Sequence, residues 1–268
     1  MADLQLKAYE DIAFLKSDVC RAVRLQLEFL KPDSVMDRLG VRSTIVVFGS
    51  ARIPCPAEGA RRVAEAERAL RADPADPARV EALRVAKALH EQSHYYDLAR
   101  EFTALASQQC QRSGCREFVV ITGGGGGIME AGNRGAHDVG AVSIGLNISL
   151  PFEQIPNPYI TPELSFQLHY FSIRKMHFLK RARALCAFPG GFGTMDELFE
   201  TLTLIQTRKI GRIPVVLFGT EFWKDIVQWP AFVRRGLISE SDLGLLHLSD
   251  NAVEGWNYIR QFYGDPTV

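Results

Sequence analysis

The segment Phe188-Pro-Gly-Gly-Phe-Gly-Thr-Met-Asp-Glu197 carries residue types that hold an anion and place a carboxylate beside it. Glycines turn sharply and let the backbone approach a ligand closely. A helix start adds unpaired N–H groups and a partial positive charge, which together bind phosphate. The pattern predicts a helix from Thr194 to about Thr207. Thr194 then offers a hydroxyl for a helix cap or for a phosphate oxygen, and Glu197 stands three residues on, at capping-box spacing. A capping box needs Thr194 and Glu197 but not three glycines, so the segment reads as a phosphate cradle with a carboxylate at the chemistry. Upstream, Arg174-Lys175 lies on a predicted helix whose basic character continues through Lys180, Arg181 and Arg183. Helix charges are ordinarily solvated. Here the following strand ends in the phosphate-type turn, so a guanidinium can reach the same anion.

A second glycine run, Thr122-Gly-Gly-Gly-Gly-Gly127, also follows a predicted strand. Set against the dinucleotide fingerprint, Gly125-x-Gly127 puts Glu130 where the third glycine belongs, and the next strand ends in Asn147 rather than an acid. The run therefore predicts a backbone cradle, with Gly124 and Gly125 as candidate contacts, and not an NAD site. Ser50, in the turn Gly49-Ser-Ala-Arg52 after the first strand, is a further candidate contact. His90-Glu-Gln-Ser-His94 matches the zinc-protease helix pattern, in which two His share a helix face and Glu91 serves as base. It falls in a stretch rich in Ala, Arg and Glu with no third ligand at close spacing, so a surface helix is the preferred reading and no metal is expected. Neither a Gly-x-Ser-x-Gly elbow nor a P-loop is present.

The elements that must position these groups alternate. Residues 1–40 predict an N-terminal helical arm, with Ile12, Leu15, Val19, Ala22, Val23, Leu27 and Leu30 near helical spacing and Lys31-Pro32 ending the run. Strand Ser43–Phe48 leads to the Ser50 turn. Residues 57–95 read as an insertion of one or two exposed helices broken at Asp73-Pro-Ala-Asp-Pro77, and a further helix covers about Tyr95 to Gln111. Strand Phe118–Ile121 precedes the glycine run and a helix to Asp138. Strand Ala141–Leu146 precedes a Pro-rich loop over 151–163. Helix Ser172–Arg183 precedes strand Ala184–Phe188, and strand Ile213–Phe218 precedes a Trp-rich helix near Thr220. Short apolar strands alternating with helices predict a Rossmann-like, doubly wound parallel sheet with helices on both faces. Ligands bind at the carboxyl ends of such strands, where all three informative turns fall. Residues 41–268 are read as a single domain behind the arm.

Composition narrows the function. Of 268 residues, 47% are hydrophobic and 23% charged, which suits a globular chain with a sizeable core. A formal net charge of zero argues against nucleic-acid binding through a general basic field. No apolar run approaches a membrane span, and the charged N-terminus is unlike a signal peptide. Five cysteines without a Cys-x-x-Cys read as reduced thiols in a cytoplasmic protein.

Arg174-Lys175 fifteen residues before the Pro of Pro189-Gly-Gly-Phe-Gly-Thr-Met-Asp-Glu197 resembles the LONELY GUY (LOG) family of nucleotide 5′-monophosphate phosphoribohydrolases, often mislabelled lysine decarboxylases. Thr122-Gly-Gly-Gly-Gly-Gly-Ile-Met-Glu130 and Leu150-Pro-Phe-Glu153-Gln154 are similar to its longer branch. The resemblance covers roughly residues 43–235. It implies hydrolysis of the N-glycosidic bond of AMP or a cytokinin ribotide, without a cofactor, by Arg174 and Glu197. It also implies binding of phosphate and ribose by Gly190, Gly191, Phe192, Gly193, Thr194, Met195 and Asp196, with Lys175 and Glu153 as further contacts. No lysine is placed for a Schiff base with pyridoxal phosphate, so the decarboxylase label finds no support. A non-catalytic nucleotide or molybdenum-cofactor binding protein on the same scaffold is the alternative. A homo-oligomer, dimer or higher, is expected. The helix after Glu197 is apolar over much of its circumference (Leu198, Phe199, Leu202, Leu204, Ile205), and the arm's stripe has no obvious partner in the sheet.

Overall fold

The computed structural model describes residues 6–111, 114–150 and 155–264. Its N-terminal region forms a short helix α1 (Ile12–Lys16), one 3₁₀ turn, and the long helix α2 (Arg21–Arg38). Contrary to the sequence expectation, Pro32 does not end this helix but lies buried inside it. Proline has no N–H, so the Glu28 carbonyl one turn back loses its helical donor. The ring Nε2 of His177 stands 3.2 Å from that oxygen and replaces the lost bond.

Strand β1 (Thr44–Phe48) follows, then α3 (Pro56–Ala72), α4 (Pro77–Glu91) and α5 (His94–Cys110). Prolines open α3 and α4, where a missing N–H costs nothing, and Asp76 caps α4. The chain then alternates through β2 (Val119–Thr122), α6 (Ile128–Asp138), β3 (Ser143–Ile148), β4 (Ser165–Leu168), α7 (Phe171–Lys180), β5 (Ala182–Ala187) and α8 (Phe192–Gln206). It closes with β6 (Val215–Phe218), α9 (Thr220–Ile226), α10 (Trp229–Arg234), α11 (Glu240–Leu243), β7 (Leu246–Ser249) and α12 (Ala252–Phe262). Strand β4, after the Pro-rich loop, and the terminal β7–α12 pair are additions to the sequence reading.

Among the described residues all seven strands are parallel, in the order β4-β3-β2-β1-β5-β6-β7. Successive side chains of β1 point to opposite faces, which is the period-2 signature of a strand. Val46 and Phe48 join a layer with Met36 of α2, Phe178 of α7, and Leu198 and Ile205 of α8. Ile45 and Val47 join the other, with Phe102 of α5, Ile128 of α6 and Trp256 of α12. The result is the doubly wound, Rossmann-like α/β fold expected. The chain runs outward from β1 to β4, then returns to place β5 on the other side of β1. This reversal opens a crevice at the carboxyl ends of β1 and β5.

Candidate active site

The crevice is a cleft of about 360 Å³ lined by the three turns anticipated from sequence: Gly49–Arg52 after β1, Gly123 after β2, and Gly191, Gly193 and Thr194 after β5. Arg174 of α7, Asp196 and Glu197 of α8 complete its polar wall, while Ile148, Leu150, Phe171 and Phe178 give an apolar side. Ser50 ties the turns together. Its N–H donates to the Pro189 carbonyl at 2.9 Å, and its carbonyl accepts from Ile128 N at 3.0 Å, at the head of α6. Its hydroxyl accepts from the Arg52 N–H at 3.1 Å.

Two glycines are demanded by this convergence. A Cβ on Gly190 would stand 2.1 Å from Thr194 Oγ1 and 3.1 Å from Ser50 N. A Cβ on Gly127, whose φ is +63°, would stand 2.3 Å from the Ser50 carbonyl oxygen. Any larger residue at either position would push the turns apart.

Helix α8 begins two residues earlier than the sequence suggested, with Gly191 at its N-cap. Thr194 and Met195 donate their N–H groups back to the Gly191 carbonyl. Thr194 is therefore in the first turn rather than at the cap, and Glu197 lies one turn too deep to close a capping box. Among the described residues the Glu197 carboxylate accepts no hydrogen bond. It is 8% exposed and faces the cleft. Burial pushes its pKa up to about 7, and the Glu200 and Asp196 carboxylates add to the rise against the pull of Lys175 and Arg174. Such a value suits a group that exchanges or shares a proton near neutrality.

The two cations of the Arg-Lys pair are differently committed. Arg174 Nε donates to the Leu146 carbonyl at 2.9 Å and an Nη donates to the Gly123 carbonyl at 3.4 Å. Its guanidinium also lies over the Phe178 ring, 5.3 Å from the centroid. Burial lowers the Arg174 pKa while Glu197 supports the charge. Lys175 faces away from the cleft, into a shallow depression beside Phe192, Met195 and Phe199. Its ammonium lies 2.8 Å from Asp196 and 2.7 Å from Glu200, but 3.9 Å from Glu197. Those two close carboxylates outweigh the burial that would lower the Lys175 pKa, and it is raised. The nearer partners leave Glu197 under-neutralised.

Other sequence candidates lie elsewhere. Gly124 and Gly125 are buried behind the cleft wall, where their carbonyls accept from the Asn157 side chain at 3.2 and 3.0 Å. Gly123 is the member of the run that meets the cleft. Phe192 points to solvent at 95% exposure, and Met195 packs against the core. Glu153 lies outside the described residues. His90 and His94 fall on different helices, α4 and α5, because Gln92 and Ser93 interrupt the run, so they do not share one helix face. Among the described residues no group of three His, Cys, Asp or Glu side chains could hold a metal ion. The sequence reading missed Arg52 and Met129 on the cleft wall and Glu200 as a partner of Lys175. Glu200 was legible as the residue three on from Glu197 along one helix face.

A family model described as "Possible lysine decarboxylase" matches residues 129–259. Two probable cytokinin riboside 5′-monophosphate phosphoribohydrolases of Oryza sativa subsp. japonica are similar. One is 29% identical over 149 residues, 52% of this chain, and the other 32% identical over 109 residues, 40% of this chain. The matches span 61% and 43% of those relatives' own lengths. Among solved structures, the molybdenum cofactor binding protein of the phototrophic bacterium Rippkaea orientalis superposes with a TM-score of 0.45 at 17% identity, over 63% of this chain and 88% of that one.

Proposed function

We propose that this chain, which belongs to the LONELY GUY (LOG) family, hydrolyses the N-glycosidic bond of a purine or cytokinin riboside 5′-monophosphate. The observation that carries the reading is Glu197: a buried carboxylate that accepts no hydrogen bond among the described residues and faces a cleft whose floor is a glycine turn and a helix N-terminus. A protein that only held a phosphate would gain nothing from a carboxylate beside it. The 5′-phosphate sits at the start of α8, against the N–H groups around Gly191 and Gly193 and the Thr194 hydroxyl. Arg174, fixed by the Leu146 and Gly123 carbonyls, holds the nucleotide so that binding energy orients the ribose.

Cleavage breaks the bond between C1′ and the base nitrogen, which takes the electron pair and a proton. Positive charge develops on the ribose ring, and ionised Glu197 stabilises it and takes a proton from the attacking water. Water supplies the new C1′ hydroxyl, the proton that Glu197 took from it is the one delivered to the departing base, and free base and ribose 5-phosphate leave. Incubation of the pure protein with AMP, adenosine and isopentenyladenosine monophosphate tests this, with free base as the readout. Base is expected from a monophosphate and far more slowly from adenosine. Recovery of every monophosphate uncleaved, with nucleotide bound, would instead identify a binding protein.

The same reading includes a homo-oligomer. The apolar face of α8 does not support it as the sequence suggested: Leu198 and Ile205 are buried, and Phe199 packs with Trp229 and Phe232 of α10. Support comes instead from unpartnered surface beside the site, Phe192 and the half-exposed Met176, and from the outer face of the arm, where Val19, Ile12 and Leu30 are 84%, 59% and 58% exposed. Light scattering at low micromolar concentration is expected to give a dimer or larger. A single species near 29.9 kDa would refute the assembly.

A further inference from the structure

Helix α7 carries Arg174 and Lys175, yet it has little of its own to fix its start. Its N-cap residue, Tyr170, makes no side-chain cap, and its first turn contains no acidic residue. A ten-residue helix with an uncapped start is marginal by itself. The missing cap comes from α2. Both Glu28 carboxylate oxygens accept from the His169 N–H, at 3.0 and 3.1 Å, and one also accepts from the Tyr170 N–H at 3.1 Å. The negative charge also matches the positive end of the helix dipole.

The same stretch of α2 holds the far end of α7. The Glu28 carbonyl, freed by Pro32, meets His177, and the Phe29 ring stacks on His177 with centroids 5.3 Å apart. Asp33 pairs with Lys180 and Arg181 at 2.6 Å each, and Asp37 pairs with Arg181 at 2.8 Å. A short route leads from the cap to the cleft. Glu28 holds the Tyr170 N–H, the Tyr170 carbonyl accepts from the Arg174 N–H at 3.1 Å, and the Arg174 side chain bonds the Leu146 and Gly123 carbonyls.

We infer that Glu28, from the N-terminal arm, is a positioning residue for Arg174: its carboxylate caps α7 and sets the depth at which the guanidinium enters the cleft. This rests on the reading of the cleft as a nucleotide site. It gives the arm a part in the chemistry without contact with substrate, since displacements of about 1 Å can cost around a hundredfold in rate.

The test is a double-mutant cycle on AMP turnover and AMP binding, using wild type, Glu28→Ala, Arg174→Ala and the double variant. Glu28→Ala is expected to lower kcat/KM about tenfold, and Glu28→Gln, which keeps one accepting oxygen, by less. In the Arg174→Ala background Glu28→Ala should cost nothing further. Equal losses in both backgrounds would overturn the inference, because a purely structural role acts whichever residue stands at 174. Should Glu28→Ala fail to fold, Glu28→Gln carries the same cycle. Should wild type release no base, the proposed reaction fails while the coupling is still read from AMP affinity. Hydrogen exchange needs no ligand. Amides of His169, Tyr170 and Arg174, which are hydrogen-bonded in wild type, are expected to exchange about tenfold faster in the Glu28 variant, with those of β1 and β5 unchanged. Unchanged exchange at these three amides would refute the cap on any reading of the site.

Discussion

Glu197→Gln is expected to lower AMP turnover by at least about a hundredfold while leaving nucleotide binding largely intact. Glutamine keeps the shape of the side chain and cannot carry the charge. Among the described residues nothing in the wall of the cleft replaces it. Asp196 lies on the same helix but is directed at Lys175, and Glu200 shares that lysine. The part proposed to hold the phosphate, the glycine turn at the start of α8, makes no hydrogen bond to the Glu197 side chain among the described residues. Loss of the carboxylate therefore removes an interaction made in the transition state more than one made in the ground state. Steady-state kinetics should show a fall in kcat with KM moved little. Turnover near the wild-type level would reduce Glu197 to a bystander.

The same substitution should stabilise the protein above neutral pH. The folded-state pKa of Glu197 is about 7, against 4.5 for an unperturbed glutamate. A raised value means that the native state binds the proton more tightly than the unfolded chain. The associated stability is complete below about pH 4.5 and is lost as pH rises through 7. Above that, wild type carries an ionised carboxylate that burial disfavours, at a cost on the order of 3 kcal/mol. Lys175 and Arg174 attract the charge, but the rise persists despite them, because Lys175 is already engaged by nearer carboxylates and Arg174 by two carbonyls. Glutamine removes the pH-dependent part. The melting temperature of Glu197→Gln should exceed that of wild type by several degrees at pH 8.5, and the gap should close towards pH 4.5. A pH-independent gap would show that Glu197 is not held at a raised pKa. Together the two results would mark Glu197 as a residue retained at the expense of stability, as functional groups commonly are.

The arm and the cleft are joined by long-range contacts that no local pattern announces. Glu28 and Tyr170 are 142 positions apart, and Asp33 and Arg181 are 148 apart. The arm appeared in the sequence as an apolar stripe, yet it grips α7 through Glu28, Asp33 and Asp37 together with the Phe29 ring stacked on His177. Pro32 read as a helix end because proline removes a donor and crowds the preceding turn. The helix continues since His177, from a distant segment, supplies the lost hydrogen bond.

The sequence by itself determined the alternation of strands and helices, the parallel sheet, and the convergence of the turns after β1, β2 and β5 on one edge. Those features follow from short-range signals: β-branched runs, glycines where backbone must come close, and prolines at helix starts. It also singled out Arg174 and Glu197 through their spacing around the Pro-Gly-Gly turn. Tertiary structure alone decided how those groups behave. Helix α8 starts at Phe192, which carries Glu197 out of capping range and into the cleft, and burial there raises its pKa. Lys175, adjacent to Arg174 in sequence, points away from the cleft because successive helix positions lie about 100° apart, and it is neutralised by Asp196 and Glu200. His90 and His94 have zinc-motif spacing but sit on two helices. Desolvation, charge pairing and the exact start of a helix depend on which surfaces meet, and surfaces meet only once the chain has folded.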